Sequence, residues 1–243
     1  MQQRGDIAVQ RAQVRVINTS DVPVTLVSAI VESAALTAPA GGGTARPLRI
    51  GPGQTTDVPV PLTGLQCTDA DSSPTVRLLL RDGGARVETV RPLDDPLGVV
   101  ARLTAERCDV EAVASVARVS ATHLSPGADG TGELVVSIHP TGVAEAGRLE
   151  LVALRGTPLL RFADGASTAL GVSVGPDDAP SIVRVSVTPL RCDAHAIAED
   201  KVGTLFDLVA RVDGREVVVP LERPHAVAEA LLAFTARTCG LTP

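Results

Sequence analysis

Four cysteines are the residues of this chain with the most specific chemistry. Cys67 ends the run VPVPLTGLQC (58–67), and Cys192 ends the similar run VRVSVTPLRC (183–192). Each is followed by a strand-like run, a turn, a second run, a Pro-Leu step and a helical segment that ends in another cysteine. Those second cysteines are Cys108 in LTAERC (103–108) and Cys239 in FTARTC (234–239). Four thiols allow three pairings. The recurrence selects Cys67–Cys108 and Cys192–Cys239, because each pair falls at the same places in its copy. Such bridges would pin a closing helix to the loop after a strand and imply an oxidising compartment.

The competing chemistry is metal binding. Cys192-Asp193-Ala194-His195 has C-x2-H spacing, and His225 with Cys239 would complete a tetrahedral zinc set. The first copy keeps both cysteines but carries Ala70 and Leu97 where the second has His195 and His225. A feature that recurs without the histidines is more simply a disulfide, so neither metal nor cofactor is expected. His195 keeps polar company in Asp193, Glu199, Asp200 and Lys201, which the first copy lacks. With His225, these residues mark the place where a small binding site is expected if the chain has one.

The elements around these residues read as strands. VQRAQVRVI (9–17), VPVTLVSAIV (22–31) and TDVPVPL (56–62) alternate apolar and polar side chains, the pattern of half-buried strands. Residues 37–54 hold GGG, two separated prolines and GPG, and are expected to be loop with a short strand at most near Leu48–Ile50. TVRLLL and RVETV flank Asp82-Gly83-Gly84, and LFDLVARV and REVVV flank Asp213-Gly214; both read as hairpins. Asp95-Pro96 reads as a cap and first helical residue, with the helix running to Cys108. A second helix is expected from about Pro224 to Arg237. The repeat after Cys108 begins with strand-like 112–122 and 133–138, and VVPLERP (218–224) matches VRPLDDP (90–96) almost position for position.

Strands therefore dominate, no strand–helix alternation appears, and one helix closes each copy. The expected fold is all-β: two tandem immunoglobulin-like β-sandwiches, residues 1–110 and 111–243, each with a C-terminal helix. The arrangement resembles tandem immunoglobulin-like domains of exported bacterial proteins, on the opening VRVINTSDVPVTLVSAIV. The stretch CDAHAIAEDKVGTLF is similar to uncharacterised exported or lipid-anchored proteins of high-GC bacteria. The resemblance covers mostly 183–240 and implies no activity. Unlike antibody-type domains, the chain has no Trp and no Tyr.

Composition narrows the function. There are three Phe and no other aromatic residue, which disfavours sugar and single-strand binding by stacking. The net charge of −6 removes the electrostatic drive toward nucleic acid and anionic membranes. No apolar run reaches the length of a membrane span, and MQQRGDIAVQ has no apolar signal segment. A signal or anchor is expected to have been removed. No nucleophile elbow or phosphate loop is present. The expected role is a non-catalytic envelope or extracellular module whose partner is another protein, without nucleic acid or direct membrane insertion. The alternative is a small-ligand or metal-binding protein using the Cys192–His195 region or the groove between the copies.

Overall fold

A computed structural model describes residues 11–68, 73–82, 84–143, 147–194, 197 and 203–241. The chain divides into two compact units, Met1–Cys108 and Asp109–Pro243. Each is an immunoglobulin-like β-sandwich, so the fold class is as the strand pattern predicts.

Unit 1 contains β1 (Arg11–Ile17), β2 (Val24–Glu32), β3 (Ala40–Ile50), β4 (Thr55–Pro61), β5 (Thr75–Asp82) and β6 (Ala85–Pro92). The pair β1-β4 forms one sheet, and the order β3-β2-β5-β6 forms the other, all antiparallel. Alternation aims Val14, Val58 and Val60 inward from the first sheet, where they meet Leu26, Val31 and Val76 of the second. A buried polar anchor holds the β1–β2 turn. The Asn18 amide donates to the carbonyls of Val22 and Ile50, and its Oδ1 accepts from the Ser20 N–H and hydroxyl.

Strand β3 corrects the expectation of a loop over 37–54. The GGG run lies inside an eleven-residue edge strand. Gly41 has φ of 111°, and a Cβ there would collide with the carbonyl oxygen of Ala29. Glycine is thus what lets the edge strand lie against β2, and local propensity yields to pairing.

Unit 2 contains β7 (Ala117–Pro126), β8 (Gly132–Pro140), β9 (Leu149–Arg155), β10 (Leu160–Phe162), β11 (Ser167–Val174), β12 (Ser181–Pro189), β13 (Asp207–Val212) and β14 (Arg215–Pro220). The sheets are β10-β12-β8-β7 and β11-β9-β13-β14. Its core is the larger one and buries all three phenylalanines. The β13–β14 turn places Asp213 at φ 48° and Gly214 at φ 83°, the two left-handed residues of a tight hairpin.

Of the two helices, the first differs from expectation in its limits and the second falls where it was expected. Helix α1 runs from Val99 to Val116. Asp95 does cap it, accepting the Val100 N–H at 2.8 Å, but a turn through Pro96-Leu97-Gly98 intervenes. Leu97 lies in that turn and is 71% exposed. The helix does not stop at Cys108, so the strand expected from 112 begins at Ala117; Val113 and Val116 are helical residues in the core of unit 2. Helix α2 (His225–Thr238) buries Val227, Leu231 and Phe234, spaced along one face. It packs on β7 and β12.

The ladders show which strands correspond. The pairings β1-β4, β2-β3, β2-β5 and β5-β6 recur as β8-β12, β9-β11, β9-β13 and β13-β14. Strand β7 has no counterpart among the described residues of unit 1, and the place of β10 is held there by the single antiparallel bridge Leu36–Leu65. The sequence reading set 112–122 first in the repeat; it is instead β8 that matches β1.

Candidate functional site

The cysteines pair within each unit. Cys67 and Cys108 form a disulfide with Cα atoms 4.7 Å apart, and Cys192 and Cys239 form another at 5.1 Å. Cys239 caps α2, whereas Cys108 lies inside α1 rather than at its end. The two thiolates that a zinc ion would take from unit 2 are thus joined to each other.

His195, Glu199 and Asp200 of the polar patch, with Lys201, lie outside the described residues. Asp193 is exposed, and its carboxylate lies 3.5 Å from the Arg191 guanidinium. His225 opens α2 after Pro224, and its Nε2 is 3.2 Å from the Glu229 carboxylate, one turn along the same exposed face. Each residue is held by a near neighbour on its own segment. A shallow charged recess of about 370 Å³ lies elsewhere on unit 2, lined by Arg148, Glu150, Ser173 and Arg211. Arg211 reaches Glu150 at 3.2 Å, and Arg148 donates to Ser173 at 2.8 Å.

The feature that sequence reasoning missed is a groove of about 480 Å³ in unit 1. Its floor is apolar, with Val14, Val31, Val60, Leu62, Val76 and Leu78. The whole inner length of β1 from Ala12 to Ile17 runs along one side, and the end of β6 with the start of α1 forms the other. Arg91, Asp94 and Asp95 stand at the polar rim. The volume lies in the ordinary range of a ligand pocket.

Comparison of the ladders locates this space within the fold. Thr75 pairs with Pro92, and Asp207 pairs with Pro220. Val76 and Leu78 therefore correspond to Leu208 and Ala210, and Thr89 and Arg91 correspond to Val217 and Val219. In unit 2 these four positions are buried. There β7 completes the sheet, pairing with β8 along its length and burying Val119, Ala121 and Leu124. At its other side the Ala121 N–H donates to the Glu222 carbonyl at 2.8 Å, and Arg118 meets the Glu222 carboxylate at 3.2 Å. In unit 1, among the described strands, β1 pairs with β4 alone. Arg91 is exposed and Thr89 half-buried. The groove is the space that β7 fills in unit 2. The signal was present in sequence as Val217 and Val219 against Thr89 and Arg91, but it is readable only once the two copies are aligned by strand pairing.

No protein-family model and no curated protein matches the chain. Among solved structures it is similar to the exo-chitosanase CsxA of Amycolatopsis orientalis, at TM-score 0.24 and 16% identity. That match covers 86% of this chain and 25% of the enzyme. It is also similar to a chaperone–tip adhesion subunit pre-assembly complex, CsuC–CsuE, from the archaic chaperone-usher Csu pili of Acinetobacter baumannii. There the TM-score is 0.25 and the identity 9%, over 89% of this chain and 93% of the other. A third likeness is to CBD12 from CALX1.2, at TM-score 0.24 and 11% identity, over 83% and 73%. Scores of this size transfer neither activity nor partner.

Proposed function

We propose that this chain is a non-catalytic interaction module of the cell envelope or extracellular space, and that it presents the unit 1 groove to a protein partner. The observation that carries the reading is the pairing of a disulfide in each unit with an apolar groove rimmed by charge. Disulfides persist in oxidising compartments. A concave apolar surface of this size with a charged rim suits recognition of another molecule. The side chains of the groove are aliphatic apart from arginine, glutamine and aspartate, and Asp95 is engaged as the cap of α1.

The test is made in cells that produce the chain. Thiols are trapped by alkylation, and the chain is compared on non-reducing and reducing gels. Intact cells are then treated with an added protease. The expected result is two bridges per chain and cleavage from outside the cytoplasmic membrane. Four free thiols in a protected cytosolic fraction would overturn the reading.

A further inference from the structure

We infer that two copies of this chain pair face to face through the outer surface of the β11-β9-β13-β14 sheet of unit 2, about a two-fold axis that runs along the strands. This goes beyond the groove of unit 1 and does not depend on it. The ladder register lays the surface out in three rows. In the middle row Ala169, Ala153, Val209 and Val218 stand side by side across the four strands. Val209 is only 7% exposed although it is not part of the core cluster, which its neighbours Leu208 and Ala210 enter from the other face. The row on one side sets Arg155 opposite Asp207, and the row on the other sets Glu150 opposite Arg211.

Charge complementarity selects a second copy as the occupant. The four charges form a square, positive then negative on one row and negative then positive on the other. An axis parallel to the strands sets β9 of each copy against β13 of the other. Arg155 then meets Asp207 of the second copy and Glu150 meets its Arg211, each contact being made twice. Within one chain only half of this square is engaged. Arg211 reaches Glu150 at 3.2 Å and Glu216 at 3.8 Å. Arg155 and Asp207 stand directly opposite each other and are both exposed, yet neither makes an ion pair among the described residues. Opposite charges placed across two strands ordinarily engage each other; here each is left for a second copy.

The middle row fixes the direction of the axis. Parallel to the strands, it brings Ala153 against Val209 and Ala169 against Val218, so small meets large along the whole row. An axis across the strands would also match the charges, but it would press valine on valine at one end and leave alanine facing alanine at the other. The favoured axis also brings the Glu216 carboxylate to Ser173, whose oxygen accepts from Arg148 at 2.8 Å and whose proton stays available to donate. Four strands about 4.8 Å apart, with six residues of about 3.3 Å each, give a surface of roughly 20 by 20 Å per copy. That is below the standard size of a specific interface, so the pairing is weak and concentration-dependent.

The test is sedimentation equilibrium of the full chain, both bridges formed, over a concentration series up to about 1 mM, the weak end of the affinity scale. The parent should show a monomer–dimer equilibrium. Arg155→Glu and Asp207→Lys alter exposed side chains that hold no ion pair among the described residues, and circular dichroism should show both variants folded. Each variant puts like charges together twice in its own dimer and should weaken association by about tenfold or more, the scale of a close charge pair. An equal mixture of the two variants sets the new carboxylate against the new ammonium, and Arg155 against Asp207, and should associate as tightly as the parent. A parent that stays monomeric through the series would overturn the proposal. So would a dimer that neither variant weakens, or a mixture that associates no better than its components, which is the outcome for an axis across the strands. Any of these would leave the groove of unit 1 and the module reading in place.

Discussion

Removing the two disulfides separately should destabilise the two units separately, and by amounts that follow from the loops they close. The bridges join residues 41 and 47 positions apart. The chain-entropy treatment assigns about 4 kcal/mol to loops of either length. The units hold roughly 110 and 135 residues. At about 2.1 cal/mol/K of unfolding entropy per residue, that loss lowers the midpoint of unit 1 by about 17 °C and that of unit 2 by about 14 °C. Unit 1 has the smaller core and holds none of the phenylalanines, so its bridge is the larger share of its stability.

The assay is scanning calorimetry of Cys67→Ala/Cys108→Ala and of Cys192→Ala/Cys239→Ala, with circular dichroism beside it. Phe162, Phe206 and Phe234 all lie in unit 2, so the sharp Phe fine structure of the near-ultraviolet dichroism, distinct from the broad disulfide signal, reports that unit. In the first variant, far-ultraviolet signal should be lost early while the Phe signal persists. In the second, the Phe signal should be lost early. A drop below about 5 °C in either variant would refute the loop-entropy reasoning, because alanine leaves the rest of each loop intact. Simultaneous loss of the Phe signal in the first variant would refute the assignment of each bridge to its own unit.

Other outcomes follow from local geometry. Asn18→Ala strips the amide donor from the Val22 and Ile50 carbonyls, and because the Val22 carbonyl keeps the Ser20 hydroxyl it should cost about 1–3 kcal/mol in urea unfolding, the scale of one buried group left unmet. Gly41→Ala should destabilise strongly, whereas Gly42→Ala, with nothing within 4 Å of the added methyl, should be nearly silent; equal midpoints would refute the close approach to Ala29. The hydrogen bond from Arg15 holds the Asp57 carboxyl below its ordinary value. A group lowered on folding adds stability above its unfolded pKa and loses it as pH falls through the folded one. Carbon-detected titration of Asp57 should therefore show a low midpoint that Arg15→Ala raises toward the ordinary carboxylate value.

The parts of the fold that were legible in sequence are those set by local chemistry. Alternation placed β1, β2 and β4, and the Asp-Gly hairpin turns and the recurring cysteines were readable because each carries its own signal. The missed parts are set by neighbours. Glycines 41–43 look like loop until β2 pairs with them along an edge. Residues 112–116 read as strand because Val113 and Val116 are apolar in either state, and burial in unit 2 favours helix. The candidate site was the least legible. His195 and its acidic neighbours drew notice as residues unique to the second copy, but the groove is lined by β1, β6 and the start of α1, and the contrast of Thr89 and Arg91 with Val217 and Val219 is readable only after the ladders are matched.

The differences between the copies form a consistent set. Unit 2 spends ten residues on β7, buries valine beneath it at 217 and 219, and neutralises Glu222 with Arg118. Unit 1 has no equivalent of that strand among its described residues, and it has Thr89 and Arg91 at the positions of Val217 and Val219. Valines at these two positions of β6 would make an uncovered inner face prone to unspecific pairing. Arginine and threonine reduce that hazard, as charged side chains do at natural sheet edges.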